Sequence, residues 1–158
     1  MVEILDNFLP QKTFRHIQDM LMSNDFPWYF CDKIVYPSNG LYQFYHYFVY
    51  KEYRPYFSLI EPCVKELGIK NIARIKANLN PKTVFHRSGG FHIDDPRMPF
   101  TSIFYINTNN GWTKFKNGCK VKCVENRMVI FDSNMIHGGI SCTDEKRKVV
   151  VNFNYGTN

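Results

Sequence analysis

The stretch KVVVNFNY, residues Lys148–Tyr155, is predicted to form the last strand of the chain. β-Branched and aromatic side chains dominate it, and such residues pack well on a pleated sheet. Further short runs are predicted as strands at 72–79, 91–94, 101–107, 112–115, 120–124 and 128–132. The pairs Asn110-Gly111 and Asn117-Gly118 are typical of tight turns between strands. Seven short strands separated by turn signals predict a β-sandwich or a jelly roll.

The first part of the chain shows a mixed pattern. Apolar side chains recur there at helical spacing in two segments, and short strands are predicted beside them. The helices are predicted at 10–22 and 55–67, and the strands at 2–9 and 43–50. We therefore predict one domain over residues 1–158, mainly β with flanking helices. In it, an N-terminal helical support of about residues 1–70 would pack outside a β core of about residues 71–158.

Composition and charge favour some functions over others. Fourteen phenylalanines and ten tyrosines among 158 residues favour β structure. The formal net charge of +6 would attract an anionic partner such as nucleic acid. The lysines and arginines form no dense block, however, so a solvated basic surface is the simpler interpretation.

The cysteines and the N-terminus bear on the cellular location. Five cysteines lie at irregular spacings without a CxxC pair, which argues against structural zinc and favours free thiols in a reducing compartment. The opening sequence MVEILDNFLP lacks the basic start and apolar run of a secretory signal. No stretch of the sequence is long and apolar enough to cross a membrane. We therefore expect a cytoplasmic protein with no membrane partner.

The tripeptide His92-Ile93-Asp94 places two metal-binding side chains two residues apart. In a strand, residues with this spacing point to the same face, so the imidazole and the carboxylate can reach one ion. A third ligand would complete a facial triad that leaves positions of an octahedral iron open for chemistry. Asp95 is an alternative ligand, but strand alternation directs it to the opposite face. An HxD motif arises by chance often enough that metal binding, on this motif alone, remains a hypothesis.

His137 is the best candidate for the third ligand. It follows the strand predicted at 128–132 and precedes Gly138 and Gly139, which allow a backbone or a ligand to approach closely. A histidine at the end of a strand beside glycines is typical of a site. The alternative is a solvated or capped side chain at the end of a strand.

Arg147 begins the last strand, ten residues after His137. With a period of two it shares a face with Val149 and Phe153, where a guanidinium is costly to bury unless an anion meets it. Its planar fork suits a carboxylate. The alternative is a solvated arginine within the charged run 144–148.

Taken together, an HxD motif, a distant histidine and an arginine ten residues later resemble the 2-oxoglutarate- and Fe(II)-dependent oxygenase superfamily. The chain is most similar to the prolyl 4-hydroxylase-like branch, including the small versions carried by bacteriophages. The resemblance extends roughly from residue 72 to 155. It includes TSIFYIN (101–107) after the HxD motif, the turn NGWT (110–113), and VIFD (129–132) before the distal histidine. DNFLP (6–10) and FPWYF (26–30) are compatible with it.

This resemblance implies a fold and a set of cofactors. The fold would be a double-stranded β-helix, the jelly roll of the cupin-like proteins. His92, Asp94 and His137 would bind Fe(II), and Arg147 would hold the C5 carboxylate of 2-oxoglutarate. Dioxygen would be the second co-substrate, and ascorbate would support activity.

Three further residues acquire expected roles from the resemblance. Tyr105 matches a position whose hydroxyl helps to hold the C5 carboxylate. Asn78 or Asn80 stands where the family often has a tyrosine, so a role in co-substrate binding is expected there with a changed side chain.

The resemblance also implies a reaction. The protein would hydroxylate a substrate C–H bond while 2-oxoglutarate and O2 become succinate and CO2. The expected substrate is a prolyl-type residue of a peptide or protein. The same chemistry on a nucleobase, a nucleic acid or a small metabolite is one alternative, and a metal-binding module without turnover is another. A phage-encoded protein would act in the host cytoplasm.

Overall fold

The computed structural model describes residues 1–35 and 39–158. These residues contain two helices and eleven strands. In chain order the elements are β1 (Val2–Leu5), α1 (Gln11–Met22), β2 (Tyr29–Cys31), β3 (Gln43–Tyr50), β4 (Glu52–Tyr53), α2 (Phe57–Glu66), β5 (Asn71–Pro81), β6 (Phe100–Tyr105), β7 (Trp112–Phe115), β8 (Lys120–Lys122), β9 (Arg127–Asp132), β10 (His137–Ile140) and β11 (Arg147–Gly156). Neither of the described helices has the length and apolar character that a membrane crossing requires.

The strands form two antiparallel sheets with a shared core. The larger sheet has the order β1-β9-β6-β11-β5-β3-β2, with β4 paired to β3, and the smaller sheet has the order β10-β7-β8. On its other edge, β10 is joined through isolated bridges by the segment that contains Ser88 and His92. This arrangement confirms the predicted jelly roll with flanking helices.

Both faces of the larger sheet are buried, one against the helices and the other against the smaller sheet. The helix side includes Phe14, Ile17, Leu21, Ile60, Val149, Val151 and Phe153. The core between the sheets includes Ile103, Tyr105, Phe115, Val121, Val129, Phe131 and Val150. Each fully buried large apolar side chain stabilises the fold by about 1.5–3 kcal/mol. Along β11, the odd-numbered Val149, Val151 and Phe153 face the helices, whereas even-numbered residues such as Val150 face the smaller sheet.

Most predicted elements are confirmed to within a few residues, and β3 and β7 have the predicted bounds. The turn predicted at Asn117-Gly118 joins the paired strands β7 and β8. Gly118 has a φ of 92°, a backbone conformation that favours glycine. Asn110-Gly111 instead connects β6 in the larger sheet to β7 in the smaller sheet.

The smaller sheet departs from the sequence predictions in two ways. The strand predicted at residues 91–94 is wrong, because only His92 in this segment forms a bridge. Gly90 before it and Pro96 after it both weaken regular strand pairing. Sequence analysis also misses β10, because two of its four residues, Gly138 and Gly139, are glycines and carry no strand pattern.

Candidate metal centre

Backbone pairing brings the two histidines together. The backbone N–H of His92 donates to the carbonyl of His137 at 2.9 Å, and the N–H of His137 donates back to the carbonyl of His92 at 3.0 Å. Residues directly opposite each other on antiparallel strands project their side chains to the same side. The two imidazole ring centres are therefore only 4.7 Å apart.

Asp94 completes the cluster from two residues further along the same segment. Its Oδ1 lies 3.9 Å from His92 Nε2, and its Oδ2 lies 3.5 Å from His137 Nε2. One ligand atom from each of the three residues lies within 4.8 Å of the other two. The sequence therefore predicted a set of three side chains that the structure does bring together.

The donor set fits a divalent metal ion. The Asp94 side chain is only 4% exposed, and its Oδ2 has no hydrogen-bond partner among the described residues. A buried carboxylate oxygen without a partner is costly unless a cation compensates it. Two imidazoles and one carboxylate are the ligands of the facial triad that binds non-haem Fe(II).

His137 is held in the orientation that ligation requires. Its Nδ1 lies 2.9 Å from the carbonyl oxygen of Met135. Since a carbonyl only accepts, Nδ1 carries the proton and Nε2 keeps its lone pair for a metal. The ring packs against Phe131, with centres 4.7 Å apart. Burial lowers the pKa of His137 and so favours the neutral, metal-binding form.

Gly138 allows the close approach on which the histidine pair depends. A Cβ atom at this position would lie 2.5 Å from the carbonyl oxygen of Gly90. Any side chain would therefore push the His92 segment away from β10.

We expect Gly138→Ala to weaken metal affinity by about 10-fold or more, since overpacking of this kind costs about 1–3 kcal/mol. Calorimetric titration with Co(II) measures the change. Gly139→Ala is the matched control, because its Cβ would meet Lys148 Nζ at an ordinary 3.6 Å. Equal affinities for the two variants would contradict the steric explanation.

The structure does not bring Arg147 to the metal cluster. Its guanidinium donates to the carbonyl of Met22 at 2.6 Å, at the end of α1. Arg147 does share a face with Val149 and Phe153, as the alternation predicts, but that face packs on the helices. The structure therefore places the Arg147 guanidinium at the end of α1 and not among the residues that line the cavity of the cluster.

The neighbouring residue, Lys148, lies beside the candidate ligands instead. It is 4% exposed and lines the same cavity as the three candidate ligands. Its ammonium donates to the carbonyls of Trp112 and Ile140 at 3.1 and 3.0 Å. Within residues 1–35 and 39–158, no carboxylate lies within ion-pair distance of it, which leaves a buried cation without an anion. Sequence analysis missed this residue.

The other predicted residues lie close to the same place. The Tyr105 hydroxyl is buried and hydrogen-bonds the Thr113 hydroxyl at 2.6 Å, and Thr113 lines the cavity. Burial raises the pKa of Tyr105, so it remains protonated. Asn78 and Asn80 both line the cavity, and the buried Asn78 Oδ1 has no partner in the described part of the chain.

Asp95, the alternative ligand, is engaged elsewhere. Its carboxylate pairs with the guanidinium of Arg97 at 2.6 Å. The hydrogen bonds from Arg97 hold the pKa of Asp95 at about 2. Asp95 is therefore a solvated ion-pair partner, and the cluster consists of Asp94 and the two histidines.

A cavity of about 550 Å³ connects these features. Its walls combine the three candidate ligands with basic, amide and apolar side chains. They include Arg74, Lys76, Asn78, Asn80, Ile103, Thr113, Lys148, Val150 and Asn152. A second cavity of about 230 Å³ shares His92, Asn80 and Lys148 with it. The site is thus large enough for a metal ion and a small diacid, with room for part of a substrate.

No protein-family model and no curated protein matches this sequence. Solved structures do match the fold. A prolyl-4-hydroxylase of Pseudomonas putida gives a TM-score of 0.62 at 12% identity, covering 98% of this chain and 92% of its own. An oxidoreductase of the 2OG-Fe(II) oxygenase family from Burkholderia pseudomallei gives 0.65 at 11% identity, covering 99% and 84%.

A third similar structure is a prolyl hydroxylase from Trichoplax adhaerens in complex with a hypoxia inducible factor oxygen degradation domain peptide. It gives a TM-score of 0.59 at 16% identity and covers 98% of this chain and 83% of its own. The chain thus has the fold of the 2-oxoglutarate- and Fe(II)-dependent oxygenases. Among proteins of this fold, its similar structures include prolyl hydroxylases, as the resemblance in sequence implied.

Proposed function

We propose that the protein is an Fe(II)- and 2-oxoglutarate-dependent dioxygenase that hydroxylates a substrate C–H bond and releases succinate and CO2. One observation carries this proposal. A cluster of two histidines and one aspartate shares a cavity with Lys148, a buried cation that has no carboxylate partner among the described residues. A metal ion and a dicarboxylate would satisfy both features.

In the proposed site, His92, His137 and the Oδ2 atom of Asp94 would bind the iron. Bound iron supplies the activation of dioxygen that the oxidation of a C–H bond requires. The protein side chains would occupy only one face of the coordination shell, so that a co-substrate and dioxygen have room to bind.

Lys148 would hold the C5 carboxylate of 2-oxoglutarate. An ammonium has three N–H donors, and the carbonyls of Trp112 and Ile140 accept two of them. The third remains for a carboxylate of the co-substrate. We infer that Tyr105 contributes to binding of this carboxylate through Thr113, whose hydroxyl it contacts. Asn78 and Asn80 offer amide groups in the same cavity.

Apolar side chains in the wall of the cavity would help to exclude water from the site. Ile103 and Val150 line the cavity, and both are less than a tenth exposed. Removing water strengthens the attraction between the Lys148 ammonium and a carboxylate, because the local dielectric falls.

A peptide is the substrate that we propose first. Phe91 and Ile93 flank His92, line the cavity and are 48% and 45% exposed. Exposed apolar side chains beside a functional cavity favour an apolar group of a binding partner, such as a prolyl ring.

A nucleic acid or another anionic substrate is the second candidate. Lys76 lines the cavity, and its ammonium lies 5.2 and 5.5 Å from the ring centres of Tyr45 and Tyr47. In the part of the chain that the structure describes, no carboxylate pairs with it. A half-buried cation between aromatic rings suits a phosphate with a stacked base.

The first test needs no substrate. We expect the protein with Fe(II), 2-oxoglutarate and ascorbate to release succinate in air, since uncoupled turnover consumes the co-substrate slowly. Succinate is measured by chromatography, and a sample with Zn(II) in place of Fe(II) is the control. Tight metal binding with no succinate at all would contradict the enzyme and support a module without turnover.

The second test separates the two substrate classes. Prolyl peptides and single-stranded oligonucleotides are screened by mass spectrometry for the gain of one oxygen atom. We expect the peptide to be oxidised. We also expect its oxidation to depend on salt concentration much less than nucleic-acid binding does. Oxidised oligonucleotide, lost on Lys76→Met, would favour the second candidate instead.

The five cysteines are free thiols in the structure. Free thiols are typical of a reducing compartment, and we propose the cytoplasm as the site of action.

A further inference from the structure

We propose that Arg74 is a positioning residue that presents a single oxygen of Asp94 to the metal, and that a buried hydrogen-bonded chain holds Arg74 in place. This inference rests on the metal site of the proposed function. It concerns residues that neither the sequence resemblance nor the similar structures assign.

The two oxygens of Asp94 have different surroundings. Arg74 donates from its guanidinium to Oδ1 at 2.9 Å. Oδ2 has no partner among the described residues and faces His137 at 3.5 Å. Because the Asp94 side chain is 4% exposed, water does not compete for Oδ1. The pairing therefore reserves Oδ2 for a metal ion.

Arg74 is held from the other side by a second donor of the same guanidinium. Its Nε donates to Asn154 Oδ1 at 3.0 Å. The Asn154 amide nitrogen donates to the Thr101 hydroxyl at 3.0 Å, and that hydroxyl lies 3.1 Å from the Ser133 hydroxyl. Asn154, Thr101 and Ser133 are all fully buried.

The direction of each hydrogen bond in this chain follows from the donors. Arginine only donates, so Asn154 must turn its oxygen to Arg74 and its nitrogen to Thr101. The Thr101 hydroxyl then accepts from Asn154 and is free to donate to Ser133. The hydrogen-bonded chain runs from β5 through β11 and β6 to Ser133, the residue after β9. Three neighbouring strands and the end of a fourth therefore fix the angle of one carboxylate.

This arrangement bears on how many positions of the metal remain open. A carboxylate that rotates freely can bind an ion through both oxygens, which would take one more coordination position. With Oδ1 engaged by Arg74, Asp94 binds through Oδ2 alone. Outer partners of this kind typically change metal affinity by about 10- to 100-fold when they are removed.

Arg74→Met tests the proposal directly. We expect its affinity for Co(II), an air-stable substitute for Fe(II), to fall by about 10- to 100-fold. We also expect a changed visible spectrum of the bound Co(II), because that spectrum reports coordination number. Arg74→Lys keeps the charge but replaces the planar guanidinium fork by a compact ammonium. Its Co(II) affinity should therefore lie between those of the unchanged protein and Arg74→Met. It also provides the test if Arg74→Met does not fold.

The matched control is Arg97→Met. Arg97 also pairs with an aspartate of the same segment and lines the same cavity, but that aspartate is not a candidate ligand. We expect its Co(II) affinity to stay within twofold of the unchanged protein.

Asn154→Leu tests the chain behind Arg74. We expect it to weaken Co(II) binding less than Arg74→Met does, and to add little in the double variant, because both act through one path. A folded Arg74→Met variant with unchanged Co(II) affinity and spectrum would overturn the proposal while leaving the metal site intact. Failure of the unchanged protein to bind Co(II) would instead overturn the proposed function.

Discussion

Replacing His92 by alanine is expected to weaken Fe(II) binding by more than about 100-fold, beyond the range typical of an outer-shell partner. In the proposed site the imidazole supplies one of three protein ligands, and its side chain is 36% exposed. Its removal therefore leaves no large internal cavity. The backbone pairing with His137 does not involve the side chain and should persist. Anaerobic titration with Fe(II), beside a thermal melt of the metal-free protein, measures both quantities.

His86→Ala is the matched control for this prediction. His86 lies in the loop before His92, where its ring contacts Trp112 and its Nδ1 lies 2.8 Å from the carbonyl of Ser141. It is not part of the ligand cluster. We expect metal affinity within twofold of the unchanged protein. Similar losses for the two variants would mean that disturbance of the loop, rather than loss of a ligand, explains the effect.

The cluster of candidate metal ligands could be predicted because the sequence pattern that indicates it is mostly local. In an extended backbone, residues two apart project to the same side, whether or not they pair in a sheet. His92 and Asp94 therefore meet at one point, even though the strand predicted around them is wrong. His137 was identifiable from its position after a strand and before two glycines, and Gly138 indeed allows the close approach.

The proposed co-substrate residue, Lys148, could not be predicted from the same kind of pattern. Alternation correctly separates the two faces of β11, but both faces are buried. Val149 on the helix side and Val150 on the cavity side look alike in the sequence. The pattern therefore gives no sign of which face holds the cavity, and it led to Arg147 and not to Lys148, which lines the cavity.

Arg74 and its buried chain were also beyond sequence analysis. The contact of Arg74 with Asp94 links a regular strand to an irregular segment. Asn154, which hydrogen-bonds Arg74, lies eighty residues away from it in the sequence. Such contacts depend on how the strands are ordered in the sheet, which composition and periodicity do not determine.

Lys148→Met is expected to weaken 2-oxoglutarate binding by roughly 30-fold to several thousandfold, since truncating one partner of a buried charge pair costs about 2–5 kcal/mol. Methionine keeps the unbranched shape and much of the packing, so the loss reports mainly the missing charge. Co(II) affinity should change little, because Lys148 is not a candidate ligand. Titration of the Co(II)-loaded protein with 2-oxoglutarate measures the effect. Equal losses of metal and 2-oxoglutarate affinity would contradict the assigned role.

Arg147→Met provides the decisive comparison, because the two positions are adjacent in sequence and lie on opposite faces of one strand. Its guanidinium contacts the last carbonyl of α1, where a cation also stabilises the helix dipole. We expect unchanged 2-oxoglutarate affinity and a free energy of unfolding lower by about 1 kcal/mol, the typical net contribution of one hydrogen bond. If Arg147→Met lost 2-oxoglutarate binding and Lys148→Met kept it, the co-substrate would have to lie on the helix side of β11. That side is filled by core side chains, so the cavity side is the one that a diacid can enter.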